Sequence, residues 1–360
     1  MLFSEFQLGP LSLKNRVVMA PMTRSRAIGN IPNDLMAEYY GQRAEAGLII
    51  TEGTGPAAIG TGYARIPGVW SAEQVAGWKL ATDAVHAQGG RIFLQIMHTG
   101  RVGVVENLPT DEPVKGVSAI ANPGEMWTDT NGMQPYPVPQ EMTAEDIETA
   151  IASFVTAARN AVDAGFDGVE IHGANGYLVD QFLNTASNQR SDEWGGSVEN
   201  RARFAVEVAR RVVAEIGGER VGIRLSPYGV FNGMGVDPEH DAVFAHVAKA
   251  FGEIGLVYVH IVDHSSMGAP AVSDSVKAAI RDNFGGTIIL SGGYDKARAS
   301  ADLEAGKGEL VAFGRPFISN PDLVQRMKNE QELSVPNHDL FYTPGPEGYT
   351  DYPALAVAAE

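Results

Sequence analysis

Short apolar stretches alternate with longer amphipathic ones along most of the chain. The apolar stretches predict eight strands: Arg16–Ala20, Leu48–Thr51, Arg91–Met97, Gly168–His172, Val221–Leu225, Leu256–Val262, Thr287–Leu290 and Leu310–Gly314. Helical spacing predicts helices between and after them, over 33–45, 72–88, 143–164, 197–216, 237–253, 271–282, 295–305 and 319–330. Eight strand–helix units in series predict an α/β fold, a single-domain (β/α)8 TIM barrel over residues 1–360.

A doubly wound open sheet is the structural alternative. It is disfavoured because no G-x-G-x-x-G follows the first strand and no P-loop is present. Two segments do not fit the repeat. Residues 98–142 are rich in Pro, Gly and Asn, and their length predicts an inserted lid or cap after the third strand. Residues 331–360 form a C-terminal tail that includes Tyr342, Tyr349 and Tyr352.

Composition and charge exclude several classes of function. The 360 residues are 44% hydrophobic and 20% charged, which is typical of a globular protein. The net charge of −17 disfavours nucleic-acid and membrane-surface partners. The absence of cysteine excludes disulfides, thiolate metal sites and cysteine nucleophiles. With neither a signal peptide nor a long apolar run in view, we expect a cytoplasmic protein, monomeric or homodimeric, that acts on a small molecule.

Strand alternation predicts which side chains point into the barrel, and barrel chemistry lies at the carboxyl ends of the strands. Aliphatic residues at alternate positions of the third, fourth and fifth strands suit the helix-facing side. The polar side chains left to converge on the top of the interior are Gln95, His172 and Arg224.

Arg224 is the most informative of these residues, because a buried guanidinium needs an anionic or electron-rich partner. One interpretation is an internal ion pair, with Glu170 as the candidate partner. The other is a bound anionic cofactor or substrate. Gln95 has a similar pair of interpretations, as a satisfied polar group in a barrel layer or as a ligand contact.

Two loops carry further candidate chemistry. His172 and Asn175, with Tyr177 beside them, can direct hydrogen bonds towards one oxygen atom, although a Gly-rich connector with a capping Asn would have the same residues. Glycines after the last two strands (Gly292, Gly293, Gly314) and the adjacent Arg315 are typical of a phosphate site, although glycines also cap helices.

A third cluster lies near the end of the sixth strand. His260, Asp263 and His264 could ligate a divalent metal, which makes a metal-dependent barrel hydrolase or aldolase the alternative function. The spacing does not require the two histidines to share a face, so packing or solvent exposure is the other interpretation.

Six motifs, in order along the chain, resemble those of the Old Yellow Enzyme family of flavin-dependent ene-reductases. They are Asn15–Arg24, Leu94–Arg101, His172–Leu178, Asp192–Ser197 with Asn200 and Arg201, Phe313–Ile318, and Gly348–Pro353. The resemblance spans Asn15 to Tyr352. It implies a (β/α)8 barrel that binds FMN non-covalently and is reduced by NAD(P)H.

The resemblance also implies roles for individual residues. The flavin ring would contact Pro21, Met22, Thr23, Gly53, Gln95 and Arg224, and the phosphate would contact Gly292, Gly293, Gly314 and Arg315. His172 and Asn175 would bind the substrate's carbonyl or nitro oxygen, and Tyr177 would donate a proton. Tyr63, Met97 and Tyr349 would line the substrate pocket, where Met97 replaces a common tryptophan.

The implied reaction is a ping-pong reduction of an activated alkene. NAD(P)H gives hydride to flavin N5, and the β-carbon of an α,β-unsaturated carbonyl or nitroalkene then receives it. Nitrate esters and nitroaromatics are further expected substrates. A flavin-binding protein without catalytic activity is the third interpretation, and no metal is expected in the leading one.

Overall fold

Eight parallel strands form a closed barrel in the computed structural model, which describes residues 1–236 and 238–355. The strands are Val17–Met19, Leu48–Ile50, Ile92–Ile96, Gly168–Gly173, Val221–Leu225, Tyr258–Val262, Thr287–Ser291 and Leu310–Phe313. The last strand pairs with the first, Phe313 opposite Met19. Each strand lies within or overlaps a predicted one, and the predicted (β/α)8 barrel is confirmed.

Helices follow the strands and cover the barrel. Their bounds are Asp34–Gly41, Ala72–His86, Ala144–Asp163, Leu178–Leu183, Val198–Ile216, His240–Ile254, Asp274–Phe284, Lys296–Glu304, Arg315–Ser319 and Leu323–Lys328. Capping boxes begin two of them, at Ser71 and at Thr143. Within the described ranges, no helix combines the length and apolarity that crossing a membrane requires.

The predicted helices need three corrections. The helix predicted over 319–330 is interrupted because Pro321 disfavours helical geometry at the residue before it, and two short helices result. The helix Leu178–Leu183 was not predicted, since six residues are too few to show a helical period. The helix predicted over 237–253 begins at His240 in the structure, and Asp237 lies outside the described residues.

The strand alternation separates two apolar layers. Ile92, Leu94 and Ile96 pack in the layer between strands and helices, as predicted. The barrel interior holds a second cluster: Leu8, Leu13, Val18, Ala20, Leu48, Ile50, Phe93, Tyr258, Ile289, Leu310 and Ala312. Its first two members come from an N-terminal hairpin, Phe6–Leu8 with Leu11–Leu13, which closes the amino end of the barrel. The chemistry is therefore left to the carboxyl end.

The segment predicted as a lid contains short strands of its own. Glu125–Thr128 and Gly132–Pro135 form an antiparallel hairpin, while Lys115–Gly116 pairs in parallel with Gln140–Glu141. We call 125–135 the lid hairpin. It precedes the helix Ala144–Asp163, so it rises from the third strand–helix connection on the carboxyl side of the barrel.

Two buried arginines hold the C-terminal tail against the barrel. Arg24 and Arg26 follow the first strand, and each guanidinium donates to several backbone carbonyl oxygens of the tail. The acceptors are Phe341 (3.1 Å) and Gly348 (2.7 Å) for Arg24, and Leu340 (2.9 Å), Phe341 (2.6 Å), Gly345 (3.3 Å) and Glu347 (3.0 Å) for Arg26.

We predict that Arg26→Ala loosens the tail and lowers the free energy of unfolding by about 2–3 kcal/mol, because several carbonyls lose a charged donor at once. Urea denaturation and limited proteolysis near residue 341 measure the effect. Arg210→Ala is the control, since Arg210 is 53% exposed on a helix surface. Equal stability and equal protease resistance of the two variants would contradict the prediction.

Candidate active site

The predicted cofactor residues surround the carboxyl end of the barrel. Each lies at, or just after, the end of a strand: residues 21–23 after the first, Gly53 after the second, Gln95 in the third, Arg224 in the fifth, Gly292 and Gly293 after the seventh, and Gly314 and Arg315 after the eighth. Register pairs His172 with Arg224, and Arg224 with His260, on neighbouring strands. These side chains therefore meet at one end of the molecule.

A buried carboxylate organises the layer beneath this site. Glu170 accepts hydrogen bonds from Gln95 Nε2 (2.8 Å) and Tyr258 Oη (3.1 Å), and lies 2.8 Å from His260 Nδ1. All four residues are buried. Gln95 is thus held by a protein partner, and the Glu170 oxygens are occupied by neutral donors and an imidazole.

Arg224 is not ion-paired with Glu170, although that partner was one of the two expected. Its guanidinium is 7% exposed, and Nε has no hydrogen-bond partner within the described part of the chain. Burial is the main influence on Arg224 and lowers its pKa, and the charge of Glu170 partly offsets this effect. A buried cation with an unsatisfied donor remains, and it is available to an electron-rich ligand.

His172 is a neutral hydrogen-bond donor in this environment. Burial, followed by the charge of Arg224, lowers its pKa well below the usual 6.5. The backbone N–H of Ala174 donates to its Nδ1 at 3.3 Å. Nδ1 therefore acts as the acceptor, and the proton is on Nε2, which is free to donate to a ligand.

Tyr177 lies against His172, and their ring centroids are 4.9 Å apart. Its hydroxyl oxygen lies 3.0 Å from that of Tyr63. Burial raises the pKa of Tyr177 to about 12, an effect that the hydrogen bond from Tyr63 opposes. Tyr177 is thus a protonated phenol at neutral pH, with a neighbour that stabilises its anion.

Asn175 has a left-handed backbone, with φ +61°, a conformation that asparagine tolerates better than most residues. Its N–H donates to Ser226 Oγ at 2.9 Å, and its carbonyl accepts from Asn232 at 2.7 Å. Its side-chain oxygen lies 2.6 Å from His264 Nε2. The position of Asn175 is thus set by residues from two other strand–helix connections.

A cavity of about 950 Å³ opens beside Tyr63 and Tyr177. The barrel, the lid hairpin and the tail each supply part of its wall, which includes Thr23, Tyr63, Tyr177, Met126, Trp127, Met133, Tyr136 and Tyr342. The volume suits a small organic ligand, and the wall combines aromatic surface with a few polar groups, as ligand sites commonly do.

Four of the residues predicted to bind the substrate do not line this cavity: His172, Asn175, Met97 and Tyr349. Tyr349 is fully buried and stacks on Tyr39 with ring centroids 4.0 Å apart, under the arginines that hold the tail. Tyr342 lines the cavity in its place. Met97 is 1% exposed and packs against Gly53, where an added Cβ would lie 2.5 Å from its sulfur atom. Tyr63 does line the cavity, as predicted.

Arg65 connects the three walls of the cavity. Its guanidinium forms an ion pair with Asp129 in the turn of the lid hairpin and donates to the carbonyls of Tyr342 (2.8 Å) and Ser25 (3.1 Å). Asn107 adds a bond to the carbonyl of Trp127 at 2.9 Å. Polar contacts thus dock the lid hairpin onto the barrel and tail, and its buried Met126 packs with Val102 and Val104.

The cluster proposed as a metal site is divided in the structure. His260 points into the barrel towards Glu170, Asp263 pairs with Lys277 at 2.8 Å, and His264 contacts Asn175. Across the described residues, no group of three or more His, Asp or Glu side chains has a metal-binding arrangement. The sequence analysis did not assign His264 to the ligand site, because the contact depends on two loops 89 positions apart.

Comparison with known proteins agrees with this geometry. The family model of NADH:flavin oxidoreductases and NADH oxidases matches residues 1–334. The chain belongs to this family. Membership confirms the resemblance to Old Yellow Enzyme, the FMN cofactor, the nicotinamide reductant and the ene-reductase reaction. The metal-dependent alternative has no support.

Relatives cover nearly the whole chain. Rice 12-oxophytodienoate reductase 1 is 41% identical over 360 residues, covering 98% of this chain and 93% of the relative. Morphinone reductase in complex with tetrahydroNAD is 42% identical with a TM-score of 0.94, covering 98% and 97%. The Old Yellow Enzyme homologue of Zymomonas mobilis is 40% identical with a TM-score of 0.93, covering 98% and 99%.

Asp180 supports the loop that carries the ligand-facing residues. It accepts from Gly176 N–H at 2.8 Å and from Ser226 Oγ at 3.3 Å, and burial raises its pKa to about 7. When the pKa of an acid is higher in the folded than in the unfolded state, the protein loses stability as the pH rises from the unfolded-state pKa to the folded-state pKa.

We therefore predict that Asp180→Asn gains stability relative to the wild type as the pH rises from about 5 to about 8, by about 1–3 kcal/mol. The amide keeps an acceptor for Gly176 but carries no charge. Urea denaturation of both proteins at each pH gives the difference between their free energies of unfolding. The contributions of the other buried acids are the same in both proteins and cancel in this difference. A difference that stays constant with pH would refute the role of burial.

Proposed function

We propose that this chain reduces the C=C bond of α,β-unsaturated carbonyl compounds and nitroalkenes, with His172, Asn175 and Tyr177 as the residues that act on the substrate. Nitrate esters and nitroaromatics are further substrates in this proposal. The observation that carries it is the contact between a neutral His172 and a protonated Tyr177 beside Arg224, whose Nε has no partner within the described residues.

The residues present fit FMN. The buried Arg224 lacks a hydrogen-bond partner at Nε, which suits the electron-rich edge of a flavin ring. Arg315 is exposed beside Gly314, where an added Cβ would meet nothing closer than 3.6 Å, so there is space for a phosphate. Pro21, Met22, Thr23, Gly53, Gln95, Gly292 and Gly293 complete the proposed set.

FMN, when bound, takes hydride from NAD(P)H and passes it to the alkene. His172 Nε2–H and the Asn175 amide donate to the substrate's carbonyl or nitro oxygen, which withdraws electrons from the β-carbon. Tyr177 Oη–H supplies the proton to the α-carbon, and Tyr63 stabilises the phenolate that remains. Arg224 supplies buried positive charge next to the flavin ring.

The lid hairpin and the tail cover the site in this proposal. Hydride transfer benefits from a site closed to water. The contacts of Arg65 with Asp129 and Tyr342 hold the closed form. A cytoplasmic location and a monomeric or homodimeric state are also part of this proposal.

The variant Tyr177→Phe tests whether Tyr177 acts on the alkene but not in the reduction of the flavin. We expect enone turnover to fall about 100-fold, because the α-carbon loses its proton donor, while anaerobic reduction of the flavin by NADH or NADPH continues at nearly the wild-type rate. Stopped-flow absorbance near 450 nm measures each half-reaction separately. Tyr136→Phe is the control, because Tyr136 lines the same cavity without a hydrogen bond to Tyr177 among the described residues.

The pH dependence provides a second measurement on the same proteins. Since the pKa of Tyr177 is about 12, the phenol keeps its proton at lower pH. The wild-type rate of the enone half-reaction should therefore not fall between about pH 8 and about pH 10. Unchanged enone turnover in Tyr177→Phe would remove Tyr177 as the proton donor and refute the mechanism.

A further inference from the structure

Among the described residues, the side chain of Asn175 has one hydrogen-bond partner, His264. Hydrogen bonds to Ser226 and Asn232 already hold the backbone of Asn175, so the remaining freedom is rotation of its amide. The amide lies 2.6 Å from His264 Nε2. A rotation of the amide by half a turn exchanges its oxygen and nitrogen at that contact and towards the ligand.

No contact from a described residue fixes the His264 proton on one of its two ring nitrogens. In His172, the backbone N–H of Ala174 fixes Nδ1 as the acceptor. His264 has no such contact at Nδ1 from any described residue, and its ring is half-buried against Phe231 with centroids 4.6 Å apart. Burial and the charge of Arg224 lower the pKa of His264 to about 4, so the ring is neutral at pH 7 and carries one proton.

Two arrangements of the pair therefore satisfy the same contact. With the proton on Nε2, His264 donates to Asn175 Oδ1, and the NH₂ group faces the ligand. With the proton on Nδ1, His264 accepts from the NH₂ group, and Oδ1 faces the ligand. The change moves one proton from Nε2 to solvent and one from solvent to Nδ1, which leaves the charge unchanged.

We propose that His264 is a positioning residue that lets Asn175 act as a donor towards one substrate and as an acceptor towards the other. This inference rests on the proposed function, in which Asn175 faces the ligand. The enone oxygen only accepts, so it needs the donor from Asn175 as well as the donor from His172. The nicotinamide carboxamide both accepts and donates, so His172 donates to its oxygen while Asn175 Oδ1 accepts from its NH₂ group.

The pair explains how one pocket serves two unlike ligands in turn. A fixed donor at position 175 would leave the carboxamide N–H groups facing another donor, and a fixed acceptor would repel the enone oxygen. The neutral state of His264 is required, because a protonated imidazole donates from both nitrogens and would hold Asn175 in one arrangement.

Binding of two reduced dinucleotides to the holoenzyme tests the acceptor state. NADH carries the carboxamide, whereas reduced 3-acetylpyridine adenine dinucleotide carries a methyl group in place of its NH₂. In His264→Lys, the ammonium group only donates, so the Asn175 NH₂ group faces the ligand. We expect the preference for the carboxamide, taken as the ratio of dissociation constants in anaerobic stopped flow, to fall about ten-fold, as for one lost hydrogen bond.

Two variants serve as controls for this ratio. His264→Gln keeps the wild-type preference, because a side-chain amide can donate or accept. Met267→Lys adds the same charge on a neighbouring side chain that is 49% exposed, and it also keeps the preference. Equal ratios in the wild type and His264→Lys would overturn the proposal.

The ring nitrogen of His264 that carries the proton can be observed directly in the wild-type protein. In ¹⁵N-histidine holoenzyme, with the His264 signals assigned by their loss in His264→Gln, we expect the proton on Nε2 in the complex with para-hydroxybenzaldehyde and on Nδ1 in the complex with tetrahydroNAD. The same tautomer in both complexes would overturn the proposal. Wild-type phenol affinity in Asn175→Ala would instead refute the proposed function itself.

Discussion

The positive charge of Arg224 in the barrel interior is the constraint on which the site depends. Glu170 is close enough to offset part of it, but its oxygens are taken by Gln95, Tyr258 and His260. The charge is thus balanced at a distance, and Nε of Arg224 has no hydrogen-bond partner among the residues that the structure describes. Burial is the main reason that the pKa values of His172 and His264 are lowered, and the charge of Arg224 adds to this effect.

The barrel was predictable because its signals are local and periodic. Two-residue alternation in the third, fourth and fifth strands decides which side chains face inward, and Gln95, His172 and Arg224 lie where it places them. The exceptions also have local causes, such as the break at Pro321 and the short helix after Tyr177. The identity of the cofactor depended on the resemblance, because an inward arginine alone also allows an internal ion pair.

The contacts of the tail and the loops were less predictable because their sequences have no hydrophobic periodicity. Tyr342 and Tyr349 lie in the same aperiodic segment, and their roles differ because Arg24 and Arg26 bind backbone carbonyls between them. His264 looked like a metal ligand by spacing. Its actual partner, Asn175, comes from a different strand–helix unit, and only the closed barrel brings the two together.

Closure of the barrel has a consequence for biosynthesis. The first strand, Val17–Met19, pairs with the last, Leu310–Phe313, so the ring of strands is incomplete until the last strand has been synthesised. Until then the first strand lacks one of its two neighbours, and an unpaired strand edge invites aggregation. Thr23 follows the first strand and Arg315 follows the last. The proposed flavin site combines the two, so it forms only after the last strand has closed the barrel.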